Sequence, residues 1–564
     1  MNKTPMKRYI IAILLSCSVL HAQEIMHEKF ASPFDFPLSL SANFGELRAN
    51  HLHGGLDFKT QGVIDKPIHC IADGYVSRIT VSSGGYGNAL YISHPNGYTS
   101  VYGHLNSFIP AISRYVEQYQ YDHETFAVDI VPDSTMFHFK CGETVAMSGN
   151  TGFSFGPHLH MEIRKTASNE PVDPLAFYLT RIKDTRPPVA NSITFYPQVG
   201  RGVVEGSVQK KTFSVVSSSG ASCLEHIIEA WGDIGIGLSA NDYMDGTHNN
   251  YGVQSVELFV DTMKVFESTV DCYSFDESRA INSWTDYSAY KKEGKWIMKS
   301  FVAPGNPLRI LQTDENKGII QINEERDFHF MYVLKDLHGN ISRYSFIVRG
   351  REQSIPEYYP DMRHYLRYDR TNVVQEPGLQ LIIPKDMLYE NVALDTKVRT
   401  DSSAISFEYQ LHNELLPLHA GCELMLGVRH LTVKDTTKYF IERRDGKKRY
   451  SVGGSYENGW VKTKIRELGT FRIAVDTIAP CVVPVGDSSS RARIIYKVSD
   501  IGTGIKSYRG TVDGKFVLVA YSAKNGTLTA RLEPKRVSVG KHKFSLIVED
   551  YCGNKTCVER ILSY

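Results

Sequence analysis

The chain has 564 residues, too many for one hydrophobic core of ordinary size, so three or four domains are expected. Its 63 basic and 62 acidic residues cancel, which removes the basic excess that nucleic-acid binding needs and leaves no acidic tail. Apolar residues make up 42% with no long low-complexity tract, so folded units rather than disorder are predicted.

The first element is a targeting segment. Lys3, Lys7 and Arg8 precede an apolar run from Tyr9 to about Leu20, and Ala22-Gln23 offers a small-residue cleavage site. The run is short for a transmembrane helix, and no other segment could span a bilayer, so residues 1–22 are read as a signal peptide and the chain as exported to the periplasm or cell envelope. Leu14-Leu15-Ser16-Cys17 offers a rival reading, lipoprotein anchoring through Cys17, against which the bulky Leu15 argues.

Residues 23–183 read as an all-β unit of short strands. Pro67–Ala72, Gly74–Ile79 and Asn88–His94 alternate, with Asp73-Gly74, Ser82–Gly87 and Asn96-Gly97 supplying turns. His53 and Asp57 flank Gly54-Gly55, a pair that disfavours a helix and lets the chain bend so that imidazole and carboxylate can converge. His104 follows in a strand-like run, Val101-Tyr102-Gly103-His104-Leu105. The segment from Tyr115 to His138 is predicted as a surface hairpin, with a wall of the substrate groove as the alternative. In Gly156–Arg164, alternation puts His158, His160 and Glu162 on one strand face and Leu159, Met161 and Ile163 on the other. Imidazoles two residues apart on a strand lie roughly 6.5–7 Å apart, so one can ligate a metal while the other reaches a neighbouring water. Glu162 reads equally well as a residue orienting a histidine and as a solvated strand residue. His51, His69 and His94 read as surface or packing residues.

Taken together, these segments resemble the lysostaphin-type or LytM-like zinc endopeptidases of bacterial cell walls. The resemblance rests on the His53-x-x-x-Asp57 pair, the Tyr102-Gly103-His104-Leu105 run, and Ser148-Gly149-Asn150-Thr151-Gly152 continuing to Gly156-Pro157-His158-Leu159-His160-Met161-Glu162-Ile163-Arg164. It spans roughly residues 35–180, and the stretch between His104 and Gly142 is longer than the family usually needs. It implies an antiparallel β peptidase domain with Zn2+ ligands His53, Asp57 and His160, the catalytic pair His104 and His158, and peptidoglycan stems or cross-bridges as substrate. Which histidine acts as general base stays open. The alternative is a non-catalytic scaffold that binds cell wall and activates another hydrolase; such a scaffold has no need to keep all five positions.

After Asp184-Thr185-Arg186-Pro187-Pro188, read as a linker, the chain repeats itself. Asp336-Leu337-His338-Gly339-Asn340-Ile341-Ser342 matches Asp550-Tyr551-Cys552-Gly553-Asn554-Lys555-Thr556, and Asp476-Thr477-Ile478-Ala479-Pro480 echoes the linker. Three β-sandwich modules are therefore expected: immunoglobulin-like at 189–350, a further one at 356–476, and immunoglobulin-like at 481–564, assigned to positioning or to binding protein partners. No helix of useful length is predicted in them. Asp233, Asp242 and Asp245 could bind calcium but lack calcium-loop spacing. Of nine cysteines, only Cys552 and Cys557 lie close enough to clip a hairpin end.

Overall fold

The computed structural model describes residues 30–216, 222–401, 404–486 and 493–563; the expected signal segment, Cys17 included, lies outside them. The N-terminal region, through about residue 183, is built on a nine-stranded antiparallel sheet. Seven of its strands form the main path: β1 (Leu40–Ala42), β2 (Leu56–Lys59), β3 (Gly74–Val81), β4 (Asn88–Ser93), β5 (Tyr98–Gly103), β6 (Val128–Ile130) and β7 (His158–Lys165). Their order is β1-β2-β7-β5-β4-β3-β6. The predicted alternation holds along β7, where Leu159, Met161 and Ile163 are wholly buried in the core. That leaves the opposite face of β7 for chemistry.

The hairpin predicted across 115–138 gives way to a helix, α1 (Pro110–Asp122). Pro110 stands at its start, where the missing N–H costs nothing, and Ile112, Val116 and Gln120 recur every fourth residue to bury one face. The strand signals beyond it survive as β6 and His138–Phe139, both paired with β3.

The next unit is a ten-stranded sheet. It includes β8 (Val189–Val204), β9 (Ile228–Asn241), β10 (Asp327–Lys335) and β11 (Ile341–Gly350), with β9 parallel to β11. Contrary to the expectation, short helices lie within this unit at Phe275–Ser278, Ile281–Trp284 and Tyr287–Glu293. Local capping explains the first and last: Ser274 makes a capping box with Glu277, and the Asp286 carboxylate accepts from Ala289 N–H. Farther on, two five-stranded sheets enclose a core that includes Leu381, Leu424, Ile441 and Phe471. Two four-stranded sheets end the described chain, with the rings of Tyr496 and Phe544 stacked at 6.1 Å between them. One of those sheets carries the hairpin β12 (Lys541–Asp550) and β13 (Lys555–Ser563). The eight described cysteines are free thiols, so no disulfide clips this hairpin. Cys557 sits exposed opposite Ile547, while the buried Cys552 thiol turns to the Lys438 carbonyl.

The phrase 184–188 does not separate two cores. One continuous apolar cluster runs from Phe30 through the nine-stranded sheet into the ten-stranded sheet. Polar contacts cross the same boundary: Tyr251 Oη donates to the Leu40 carbonyl at 2.8 Å and Tyr273 Oη to that of Leu52 at 2.9 Å. The last unit also folds back onto α1. There the Arg536 guanidinium lies 3.5 Å from the Tyr121 ring centroid, and Lys535 Nζ is 2.8 Å from Glu117.

Candidate active site

Cross-strand register brings the site together. His160 on β7 stands directly opposite Asp57 on β2, and on its other side opposite Gly103 at the end of β5. His53 arrives from the loop before β2, which presses against β7 so closely that a Cβ on Gly55 would sit 2.3 Å from the Met161 carbonyl oxygen. Only glycine permits that approach. His104 follows β5 with φ +60°, a left-handed turn that swings its ring back over the sheet.

Each imidazole has one nitrogen committed to an acceptor. His53 Nδ1 donates to the Asn43 carbonyl at 2.6 Å, His104 Nδ1 to that of Thr151 at 2.8 Å, and His158 Nδ1 to that of Gly156 at 2.8 Å. His160 Nε2 donates to Glu162 at 2.8 Å. A carbonyl can only accept, so these contacts fix the tautomers. The remaining nitrogens turn inward. His53 Nε2 and His160 Nδ1 are 3.0 Å apart, and both lie close to Asp57 Oδ1, at 3.1 and 2.9 Å. His158 Nε2 is 3.5 Å from the same oxygen. The rings of His104 and His158 meet at 4.7 Å.

Two bare nitrogen lone pairs and a carboxylate oxygen converging on one point call for a cation. A proton can answer the same need: burial opposes the His160 imidazolium, but Asp57 and Glu162 outweigh it and push the pKa up to about 9, so a metal bound here would displace a proton from Nδ1. Burial likewise opposes the Asp57 carboxylate, yet the three neighbouring histidines hold it well below the ordinary range. Two imidazoles and a carboxylate fit zinc, whose tetrahedral donors lie roughly 3.3 Å apart at usual bond lengths. His53, Asp57 and His160 would therefore hold such an ion.

Behind this cluster lies a buried polar layer. Glu162 is fully buried, accepts from His160 and Tyr86, and pairs with Arg164, whose Nε donates at 2.6 Å. Burial would raise the Glu162 pKa, but Arg164 and these donors bring it down to about 2. Glu162 is thus the residue that orients His160, not a solvated one. Sequence reasoning missed Tyr86 and Asn43. Asn43 also exchanges two hydrogen bonds with Gly252, tying the His53 anchor to the next unit. The cluster opens into a groove of about 860 Å³ whose walls include Arg48, Phe153, Phe155, Phe275 and Arg466. His51, at its rim, donates to the nearby Ala49 carbonyl, and His69 and His94 lie on other contacts, with Asp35 and Ser100.

An antiparallel sheet that converges two histidines and an aspartate on one point, with two more imidazoles beside it, is the architecture of a metallopeptidase. The chain carries a Peptidase M23 domain of LytM/lysostaphin type: residues 51–121 match Peptidase family M23, taking in His53, Asp57 and His104. Residues 363–476 match a Zu5-like domain. Over 158 residues the chain is 29% identical to the DD-carboxypeptidase/endopeptidase Mpg of Neisseria meningitidis, covering 28% of this chain and 29% of that protein. Over 152 residues it is 31% identical to an uncharacterized metalloprotease of Haemophilus influenzae, covering 27% and 25% respectively. It thus spans less than a third of the length of the curated relatives it matches. Among solved structures, the catalytic domain of lysostaphin from Staphylococcus simulans aligns at 23% identity over 28% of this chain and 96% of that one, TM-score 0.18. A zinc-containing peptidase of Vibrio cholerae aligns at 27% identity over 27% and 40%, TM-score 0.20.

Proposed function

We propose that the chain is an exported, zinc-dependent endopeptidase that cleaves peptide bonds in the stems or cross-bridges of peptidoglycan, within the periplasm or cell envelope. The observation that carries this reading is the meeting of His53, Asp57 and His160 at 2.9–3.1 Å with His104 and His158 beside them. The matched relative named a DD-carboxypeptidase/endopeptidase supports a cell-wall peptide as substrate. A scaffold that only binds cell wall would gain nothing from four anchored imidazoles and a carboxylate turned to one centre.

Zinc held by these three residues would supply a Lewis acid that polarises the scissile carbonyl and lowers the pKa of water to about 7. His158, with Nδ1 committed to Gly156, offers Nε2 to take the proton of the attacking water. His104 is neutral: burial, then His160 and His158, bring its pKa down to about 3. With Nδ1 given to Thr151 it has no N–H left for an oxyanion, so it first accepts a hydrogen bond and orients the water. It can donate to the leaving amine only after it has received a proton. Glu162 keeps His160 in the ligating tautomer, and the exposed Phe153 and Phe155 give the groove rim an apolar grip on substrate.

Purified full-length chain, assayed for metal content and for release of peptide from cell-wall sacculi, tests the proposal. His160→Ala is expected to lose both zinc and cleavage. His158→Ala is expected to keep zinc and lose about 10² to 10⁴ in rate. Full zinc occupancy in His160→Ala, or wild-type hydrolysis by His158→Ala, would refute the assignment.

A further inference from the structure

The internal repeat leads to a second kind of site. In the turn between β10 and β11, Asn340 donates to both oxygens of Asp336, from its backbone at 2.8 Å and its side chain at 2.7 Å. In the turn between β12 and β13, Asn554 does the same to Asp550 at 2.9 and 2.7 Å. Each amide then reaches the lead-in phrase of its unit: Asn340 touches the Asp184 carbonyl at 3.3 Å, and Asn554 that of Asp476 at 3.1 Å. Two residues on, Ser342 donates to the Pro188 carbonyl and Thr556 to that of Pro480, both at 2.6 Å. The similar phrases at 184–188 and 476–480 are therefore docked by the same set of contacts.

That docking gathers carboxylates. One ligand oxygen from each of Asp184, Asp242 and Asp336 lies within 4.8 Å of the others, and the same holds for Asp476, Asp500 and Asp550. Oxygens on a common calcium ion, at the usual bond length, are separated by at most about 5 Å. The first group is buried: Asp184, Asp242 and Asp336 are 6%, 2% and 7% exposed. Asp184 Oδ2 and Asp242 Oδ1 are buried with no hydrogen-bond partner. The nearby basic side chains make their direct contacts elsewhere. Arg186 packs on the Tyr243 ring at 4.9 Å, and His338 Nε2 donates to the Ile182 carbonyl at 2.7 Å. A buried, unpaired carboxylate oxygen is costly, and three carboxylates together more so, unless a cation shares them.

We propose that Asp184, Asp242 and Asp336 bind a divalent cation of calcium's class, pinning the end of the peptidase region to the ten-stranded sheet, with Asp476, Asp500 and Asp550 as a weaker repeat. Donors that are all oxygen favour a hard ion over zinc or copper. The repeat is weaker because Asp500 is only half-buried and its Oδ2 already accepts from Gly502 and Gly504 N–H at 3.0 and 2.7 Å. Of the acidic residues that the sequence suggested for calcium, Asp242 alone belongs. Asp233 pairs with Arg201 at 2.8 Å, and Asp245 accepts from the Thr185 hydroxyl at 3.1 Å. No loop spacing could reveal the site, because its three ligands come from three distant segments.

Calorimetric titration of the full-length chain with calcium chloride, zinc held constant, tests this. Wild type is expected to bind one calcium tightly and a second weakly, and at a hundredfold excess over Kd to gain about 5 °C in Tm. Asp242→Asn, similar in shape and confirmed folded by circular dichroism, is expected to lose the tight site and that gain. Asp500→Asn is expected to lose only the weak one. Wild type that neither binds calcium nor gains stability at millimolar concentration overturns the proposal. Undiminished tight binding in Asp242→Asn, or loss of the tight site in Asp500→Asn, does so as well.

Discussion

At the scale of single residues, the peptidase site works by commitment: each histidine spends one nitrogen on an anchor so that the other is free at the centre. Three of the four anchors are backbone carbonyls, those of Asn43, Thr151 and Gly156. Carbonyls carry no sequence signal, which is why the imidazoles themselves were legible and their tautomers were not. Glu162 is the exception, an anchor that a side chain supplies. Glu162→Gln keeps the shape but loses the charge that orients His160, so metal affinity is expected to fall about 10- to 100-fold in competition with a chromophoric chelator. Asp242 gives a pH prediction. Burial, with help from its neighbours Asp336 and Asp184, pushes its pKa from 3.8 up to about 8 against the opposing pull of the Tyr243 backbone and Arg186. An acid that holds its proton more tightly when folded contributes stability that is fully present below about 3.8 and is lost as pH rises through about 8. Thermal melts in calcium-free buffer should decline across that window, and calcium should flatten the decline.

At the scale of elements, the strands were the readable part. The alternation at Gly74–Ile79 and Asn88–His94 forms β3 and β4, and β7 shows its two faces as expected. The helix α1 was missed because its sequence, Pro110-Ala111-Ile112-Ser113-Arg114-Tyr115-Val116, mixes β-branched and aromatic residues whose local preference is for strand. Its signature lay in the four-residue recurrence of Ile112, Val116 and Gln120, a period that outweighs propensity once a core is available. Ile112→Ala is expected to cost about 2–5 kcal/mol in urea unfolding, since the side chain is wholly buried. An effect below about 1 kcal/mol would mean the helix contributes little to the peptidase core.

At the scale of the whole molecule, the peptidase region leans on the units C-terminal to it. The core cluster crosses the 184–188 boundary, and Gly252 locks the Asn43 that anchors His53. The sequence suggested a linker here because Pro187-Pro188 and Asp184-Thr185 have turn chemistry; it could not reveal that Asp184 and Pro188 are buried at a shared core while Thr185, Arg186 and Pro187 stay exposed. A fragment ending at Lys183 is therefore expected to expose apolar surface and to aggregate, checked by light scattering and circular dichroism beside the full chain. Lys524, in the last unit, donates to the Asn150 and Ser154 carbonyls, on the loop whose Thr151 and Gly156 anchor His104 and His158. Lys524→Ala is expected to lower kcat on soluble peptides by about tenfold at unchanged metal content, because the loop then holds both imidazoles less firmly. This clasp also sets an order in time. A ribosome makes the metal-binding residues first and Lys524 several hundred residues later, so a nascent chain has its ligands long before it has its clasp. The site loop is therefore held in its final arrangement only once the unit that carries Lys524 has folded against it.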